Sequence, residues 1–512
     1  MIVQIVKGKN YKNFLKIVKV NSIEELEAMR QTLTRKKYLP FLKGFNKTVT
    51  TSYLISDTYI PIQFLQEIQN NFAKAYPFEI QNPELLKEIY DLDLNYDDFR
   101  NAIENINLPE GYNVFTDEYI YQSDSVYRAL RFKTARIKVG TGGGKTLITY
   151  LYIKFLINYK LKENQKILIV VPRKGLVIQT VKEFNKFNKN NEEIIFESVY
   201  AGAKRYANAR VIVGTYQSLS NYENDYFDDF SVLIVDEAHT SKVYSIKTGI
   251  YNKMKNVEYA FGMTATYPAQ NTTDYLDIVA MLGPLVLTKK LKELIADGNI
   301  VPIIINRVMV EYNDKDIKYF TKNLKIEQQQ LDEVDRMTGS EIYRAEKEML
   351  QNYDKRNQLL LKIVKQLKYN QLFLVENVDY LELLFSLFYF ELQEHKIYKI
   401  HGIIREKERQ RILQDLEQYD KCILIATYET MSTGISVNNI HYVHFADGGK
   451  SIYRVLQGIG RGVRLHDKKQ ELNVFDYVDD LPYSSVKKHA NERLKIYNEE
   501  ELIVKEFKNI KI

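Results

Sequence analysis

Four glycines fall within seven residues at Gly140-Thr-Gly-Gly-Gly-Lys-Thr146, between a β-rich run at residues 135–139 and a helical pattern that lasts to Tyr159. Strand, glycine-rich turn and helix in that order let backbone N–H groups close around a phosphate, where a Cβ would hold it off. The helix N-terminus adds partial positive charge at the same point. In such a loop Lys145 places an ammonium on the β- and γ-phosphates and the Thr146 hydroxyl ligates Mg²⁺. Gly140, Thr141, Gly142, Gly143, Gly144, Lys145 and Thr146 are therefore the candidate residues for ATP and Mg²⁺. The strict pattern asks for glycine where this chain has Val139. The feature demands an α/β fold, because the turn must leave the C-terminal end of a strand and enter a helix packed on a parallel sheet.

The rest of residues 130–300 keeps that rhythm. Apolar runs at 167–171, 211–213, 232–235 and 259–262 alternate with longer helical stretches, the pattern of a parallel sheet covered on both faces. The run that reaches Asp236-Glu-Ala-His239 ends in two acids and delivers them to the sheet edge where ligands bind. Asp236 is the candidate for holding Mg²⁺ through water, and Glu237 for polarising the attacking water as general base. His239 is read as a link to the next segment rather than as a metal ligand. A second alternating set lies at 372–375, 397–400, 423–426, 442–445 and 474–478. Between the two sets, residues 312–368 are charged, helical and almost free of glycine, as in a helical insertion.

Residues 1–85 read as a small α+β domain. Strands are expected at 1–6, 14–20 and 51–55, and helices at 22–33 and 62–75, with Ser22 as N-cap and Glu25 completing a capping box. Residues 1–50 hold 11 Lys/Arg against 3 Asp/Glu, whereas residues 51–100 hold 3 against 9. The basic segment is either a solvated lysine-rich face or a phosphate-binding surface. Residues 86–110 read as a linker with short helices, residues 111–302 and 303–484 as two α/β domains, and residues 485–512 as an extension that is helical and then extended. A hydrophobic content of 45% excludes a disordered chain. The single Cys422 excludes an internal disulfide and a cysteine zinc cluster, and its apolar neighbours make it a buried strand residue. Lysines at 7, 9, 12, 16 and 19 break up the apolar start, which does not read as a signal peptide. No run approaches the ~18 apolar residues of a membrane span. A soluble, cytoplasmic protein without a membrane partner is expected.

Further segments complete a known pattern. Tyr121-Gln122 resembles an adenine-recognition element, in which a Gln amide pairs with N6 and N7. Val171-Pro-Arg-Lys-Gly-Leu-Val-Ile-Gln179 and Gly214-Thr-Tyr-Gln-Ser218 resemble two nucleic-acid-contacting segments, and Gly262-Met-Thr-Ala-Thr266 a coupling segment. Ser432-Thr-Gly-Ile-Ser436 resembles the segment that touches both nucleotide and backbone, and Gln457-Gly-Ile-Gly-Arg-Gly-Val-Arg464 the arginine-finger motif. Together with the phosphate loop and the Asp-Glu pair, these residues resemble the superfamily 2 helicases. Within them the chain is similar to the phage UvsW-type recombination helicases through Gly283-Pro284, Lys292-Glu-Leu-Ile-Ala-Asp-Gly298, Pro302, the stretch from Ala426 to His441 and Lys450-Ser451. Gly44, residues 60–64 and residues 489–497 add looser matches at the two ends.

The resemblance implies two tandem RecA-like parallel-sheet domains behind a small α+β accessory domain that binds nucleic acid, with ATP hydrolysed between the tandem domains. It implies Lys145, Glu237, Arg461 and Arg464 as catalytic residues and Thr146 and Asp236 on the metal. Gln122 and Gly434 join the nucleotide contacts. Pro172, Arg173, Thr215, Gln217, Ser218 and Thr433 are implied on nucleic acid, and His239, Thr264, Thr266 and Gln457 in coupling. The activity implied is a DEAH-box DNA helicase of recombination, repair and replication. It would migrate Holliday junctions, regress forks, and unwind displacement loops or RNA–DNA hybrids in a host cytoplasm, alongside recombination or single-strand-binding proteins. Two alternatives remain at this stage: a duplex-translocating motor subunit of a restriction system, and a non-catalytic nucleic-acid clamp with a degenerate ATP site.

Overall fold

The computed structural model describes every residue except 9–11, 39–47, 189–193, 203–208, 239–242, 330–338, 403, 432–436, 448, 450, 482–484 and 512. The chain divides into two compact units, one of Met1–Gly140 and Gly144–Lys289, the other of Lys290–Ile512 with Thr141–Gly143.

The first unit opens with β1 (Ile2–Val6), β2 (Phe14–Lys19), β3 (Thr34–Tyr38), β4 (Thr48–Ser52), β5 (Tyr59–Pro61) and β6 (Glu79–Ile80). Four of these make a sheet of order β5-β2-β1-β6, and β3 pairs with β4 in a separate hairpin. Val3, Ile5, Leu15 and Ile17 point inward at alternate positions, with Val3 opposite Ile17 and Ile5 opposite Leu15; that two-residue period turns one face of the sheet into core. The helix Ile23–Leu33 starts at Ser22, whose hydroxyl accepts from the Glu25 N–H at 3.2 Å. The return bond of the expected capping box is displaced by one residue. The Glu25 carboxylate accepts from the Asn21 N–H at 2.9 Å and lies 3.3 Å from the Met1 ammonium, a charged donor that draws it away from Ser22. Residues 62–75 also differ from the single helix expected. A 3₁₀ turn (Ile62–Phe64), a short α-turn (Leu65–Glu67) and a π-turn (Ile68–Phe72) follow one another. Ile62, Phe64, Leu65, Ile68 and Phe72 are all buried along this run of changing pitch.

The remaining strands of this unit are β7 (Thr134–Val139), β8 (Lys166–Val171), β9 (Phe196–Val199), β10 (Val211–Thr215), β11 (Phe230–Asp236), β12 (Tyr259–Thr264) and β13 (Leu285–Lys289). They form one sheet of order β13-β7-β12-β11-β8-β10-β9, parallel throughout. Phe230 to Val235 are all buried, as continuous apolar strands must be when helices cover both faces. The N-terminal sheet shares its core with this part: Tyr275, Leu276 and Val279 of the helix Thr273–Leu282 pack among Leu15, Ile60, Phe64 and Ile68. A polar seam accompanies the apolar one. The Gln66 amide accepts from the Leu285 N–H at 2.9 Å and donates to its carbonyl at 3.1 Å, continuing the edge of β13.

The second unit holds β14 (Ile303–Glu311), β15 (Gln371–Val375), β16 (Lys396–Ile400), β17 (Cys422–Thr427), β18 (Tyr442–Phe445), β19 (Leu472–Asp480) and β20 (Ile503–Lys511). Their order is β16-β17-β15-β18-β19-β14-β20, again all parallel. The protein is thus an α/β chain with two RecA-like parallel sheets and a small N-terminal sheet. Helices Asp314–Gln329, Gly339–Gln351 and Asp354–Gln366 lie between β14 and β15. The third is tied to the sheet by a buried ion pair, Arg356 to both Asp479 oxygens at 2.8 and 3.1 Å. Cys422 is fully buried at the start of β17, and burial pushes its thiol up to about 11, which keeps it inert. Among the described residues, no helix is long and apolar enough to cross a membrane.

Candidate active site

Because the first large sheet is parallel, β7, β12 and β11 finish at one edge, side by side in that order. Neighbouring strands stand about 4.8 Å apart, so the ends of β7 and β11 lie roughly 10 Å from each other with the end of β12 between them. The phosphate loop leaves β7, Thr264 ends β12 and Asp236 ends β11. The next strands on the same edge are β8, which runs into Pro172 and Arg173, and β10, which ends at Thr215. The topology therefore gathers the proposed nucleotide, coupling and nucleic-acid residues of this unit on one rim, although they are scattered over more than a hundred positions in the chain.

Gly142 and Gly144 both have left-handed backbone, φ +89° and +75°. Gly144 caps the helix Lys145–Tyr159, and its carbonyl accepts from Leu147 and Ile148 at 2.9 and 3.1 Å. The Lys145 ammonium folds back to the Val139 carbonyl at 3.2 Å. Gln122 is buried against this turn, and a Cβ on Gly144 would meet its Nε2 at 2.4 Å. Beside it the Lys289 ammonium lies over the Tyr121 ring at 5.1 Å, and the Lys289 carbonyl accepts from Gly140 at 2.9 Å. The adenine-recognition candidate and the phosphate-loop candidates thus meet in three dimensions.

At the end of β11, the Asp236 carboxylate accepts from the Glu237 N–H at 2.9 Å. Glu237 itself is left-handed, φ +51°, a conformation that costs a non-glycine residue roughly 1–2 kcal/mol. The Ala238 N–H then bonds the Met263 carbonyl at 3.0 Å, fastening the acidic turn to β12. The Thr264 hydroxyl donates to the Thr266 carbonyl at 2.8 Å and accepts from its N–H at 3.1 Å, so these two coupling candidates form one buried turn. Thr149, on the phosphate-loop helix, donates to Met263 Sδ at 3.1 Å and ties that turn to the loop. Further along the rim Arg173 caps the helix Lys174–Phe187, Thr215 and Ser218 share a hydroxyl bond at 3.2 Å, and Gln217 is exposed.

In the second unit Gln457 is half-buried on the helix Ile452–Ile459, Arg461 follows it half-buried, and Arg464 is exposed. Gly458 sits against Leu374 and Phe445 and Gly462 against Leu472, with no room for a Cβ at either place (2.7, 2.8 and 2.5 Å). His239, Thr433 and Gly434 lie outside the described residues, as does Gly44. Two features were invisible in the motifs. The backbone of Glu237 carries no sequence signal. Lys469, whose buried ammonium holds the Gly462 carbonyl at 2.9 Å, is one of 72 Lys/Arg and stands beyond the last motif.

The family model for the res subunit of type III restriction enzymes matches residues 100–269, and that for the helicase conserved C-terminal domain matches residues 355–466. The ATP-dependent DNA helicase uvsW of Enterobacteria phage T4 is 28% identical over 396 residues, spanning 76% of this chain and 73% of that protein. Among solved structures, the ATP-dependent Type ISP restriction-modification enzyme LlaBIII bound to DNA aligns with TM-score 0.55 at 13% identity, covering 86% of this chain and 36% of that one. Mss116p bound to ssRNA and AMP-PNP aligns with TM-score 0.53 at 16% identity, covering 83% and 80%. At such identities these two likenesses are of fold.

Proposed function

Because the chain belongs to the superfamily 2 helicases, we propose that it is an ATP-driven DNA motor that remodels branched duplexes. The observation that carries the reading is the common rim of β7, β12 and β11, where the loop leading to Lys145 leaves β7 beside Thr264 and Asp236, the last residues of β12 and β11. The donor set there fits a magnesium nucleotide: a hydroxyl and carboxylates, hard oxygen ligands, beside a turn with two left-handed glycines. Thr146 and Asp236 would hold Mg²⁺, which would supply positive charge to offset that of the phosphates. Lys145 orients the phosphates, Gln122 reads the base, and Glu237 takes a proton from the attacking water. Arg461 and Arg464 neutralise charge developing on the γ-phosphoryl group, an effect of about 10³–10⁵ in rate for such guanidinium groups. Pro172, Arg173, Thr215, Gln217, Ser218 and Thr433 hold the sugar–phosphate backbone, which gives sequence tolerance and salt sensitivity. His239, Thr264, Thr266 and Gln457 pass the state of the nucleotide to them. Junctions and forks, with RNA–DNA hybrids behind them, are the preferred substrates in this reading, as the resemblance to the UvsW-type recombination helicases implies.

The test is ATP turnover measured with single-stranded DNA, duplex, a four-way junction and RNA. Strongest stimulation by the junction supports the reading; turnover indifferent to every polynucleotide ends it. The match of residues 100–269 to a restriction subunit favours a second reading, a motor that translocates on duplex without separating it. Strand displacement on forked substrates separates the two, since only the first releases a strand.

A further inference from the structure

Lys469 is only 5% exposed and lies past the arginine motif, where no chemistry has been assigned to it. It closes a tight turn through its N–H to the His466 carbonyl at 2.8 Å. Its ammonium points inward and donates to two backbone carbonyls, Gly462 at 2.9 Å and Asn438 at 2.5 Å. Gly462 stands between Arg461 and Arg464. Asn438 is two residues beyond the segment 432–436 that carries Thr433 and Gly434. The next carbonyl of the arginine loop, that of Val463, is held by the Val301 N–H at 3.0 Å, and Gly462 is wedged against Leu472. Burial lowers the Lys469 ammonium to about 8. A buried ammonium is a poor way to gain stability, because an apolar side chain of the same length avoids the cost of removing its charge from water. What the lysine supplies and an apolar residue does not is a fixed separation between two loops.

We propose that Lys469 is a positioning residue: it pins the Arg461–Arg464 loop to the chain leaving residues 432–436, so that the guanidinium groups are set for the transition state. The proposal rests on the arginine-finger reading given above.

Arginine fingers act on the transition state rather than on bound ATP. Lys469→Met is therefore expected to lower kcat for DNA-stimulated ATP hydrolysis by about 10- to 100-fold and leave KM for ATP within about threefold. Lys469→Arg, which keeps charge and donors, is expected to recover a substantial part of kcat. Combined with Arg461→Ala and Arg464→Ala, Lys469→Met is expected to cost nothing more, because its effect passes through those two groups. If the two arginine substitutions leave kcat intact, the finger reading is wrong. If they abolish turnover while Lys469→Met keeps kcat within twofold of the parent, only the positioning proposal falls. It falls equally if Lys469→Met and Lys469→Arg lose the same activity in step with their melting temperatures. Should Lys469→Met fail to fold, Lys469→Gln, too short to span both carbonyls, takes its place in the same comparisons.

Discussion

The Arg136 guanidinium reaches the Glu67 carboxylate at 3.3 Å with both side chains almost wholly inside the protein. Arg136 stands on β7, three positions before the strand gives way to the phosphate loop, and Glu67 belongs to the N-terminal segment of changing helical pitch. The same guanidinium donates to the Gly283 carbonyl at 2.6 Å and lies over the rings of Tyr267 and Tyr275 at 5.3 and 5.1 Å. Leaving one partner of a buried pair without the other costs about 3–5 kcal/mol. Glu67→Ala is therefore expected to lower the stability of the first unit by that order and shift its calorimetric transition downward, with Glu67→Gln milder. A loss below about 1 kcal/mol would show the pair to be incidental.

The phosphate turn supplies a second prediction. Gly144→Ala forces a Cβ into Gln122 at a left-handed position. ATP affinity is expected to fall at least about tenfold, the equivalent of 1.4 kcal/mol. Gln122→Ala in the same chain removes the clash but neither the backbone strain nor the loss of the base contact assigned to Gln122, so recovery is expected to be partial at most. Titration with a fluorescent nucleotide reads both, and unchanged affinity in Gly144→Ala would remove the turn from the nucleotide site.

Loss of the loop lysine is sharper. Lys145→Ala is expected to abolish ATP turnover, by at least about 100-fold, while DNA binding measured by anisotropy stays within a few-fold. Retained turnover in that variant would defeat the assignment of the phosphate loop.

The basic N-terminal segment allows a salt test. Lys12 just before β2, Lys19 at the end of β2 and Lys36 on β3 are exposed. If they meet phosphates, changing all three to Glu weakens junction binding and lowers the slope of log affinity against log salt by about 0.9 for each phosphate no longer neutralised. An unchanged slope would mark them as solvated surface.

His444 predicts a response to acid. It lies flat between Phe373 and Phe475, 4.1 and 4.8 Å centre to centre, with Nδ1 2.9 Å from the Tyr477 hydroxyl. Burial lowers it to about 3 from an ordinary 6.5, so between those values the unfolded chain binds the proton and the folded chain does not. Stability present above pH 6.5 is lost as the pH falls, at about 1.4 kcal/mol per unit for this one group. His444→Phe is expected to cost about 1 kcal/mol at pH 7.5, for the stranded Tyr477 hydroxyl, and to flatten the decline between pH 6.5 and 5. Urea unfolding at the two pH values measures it; parallel declines in both proteins would exclude His444 as the titrating group.

What the sequence made legible followed from strong local rules. Val232 to Val235 is apolar without alternation and ends in acids, so a buried parallel strand with a functional tip could be read from it directly. The glycine spacing around Lys145 is equally local. The irregular turns of residues 62–72 were not legible, because the core they join includes helix Thr273–Leu282, some two hundred residues away in the chain. The Glu25 bond to Asn21 escaped for a similar reason: the competing charge is the chain terminus, folded back beside it. Lys469 gave no signal, since a lysine after a turn reads as solvent-facing until the carbonyls that enclose it are in place.

The apolar seam between the small sheet and the helix bearing Tyr275, Leu276 and Val279 has a practical corollary. A fragment cut to begin at residue 111 would lay those side chains bare to water, and it would clump or melt before any binding of nucleic acid could be weighed. Removing the front of this protein is thus a poor way to ask what the front is for. Recharging its outer lysines one at a time keeps the greasy joint sealed and lets the question be answered.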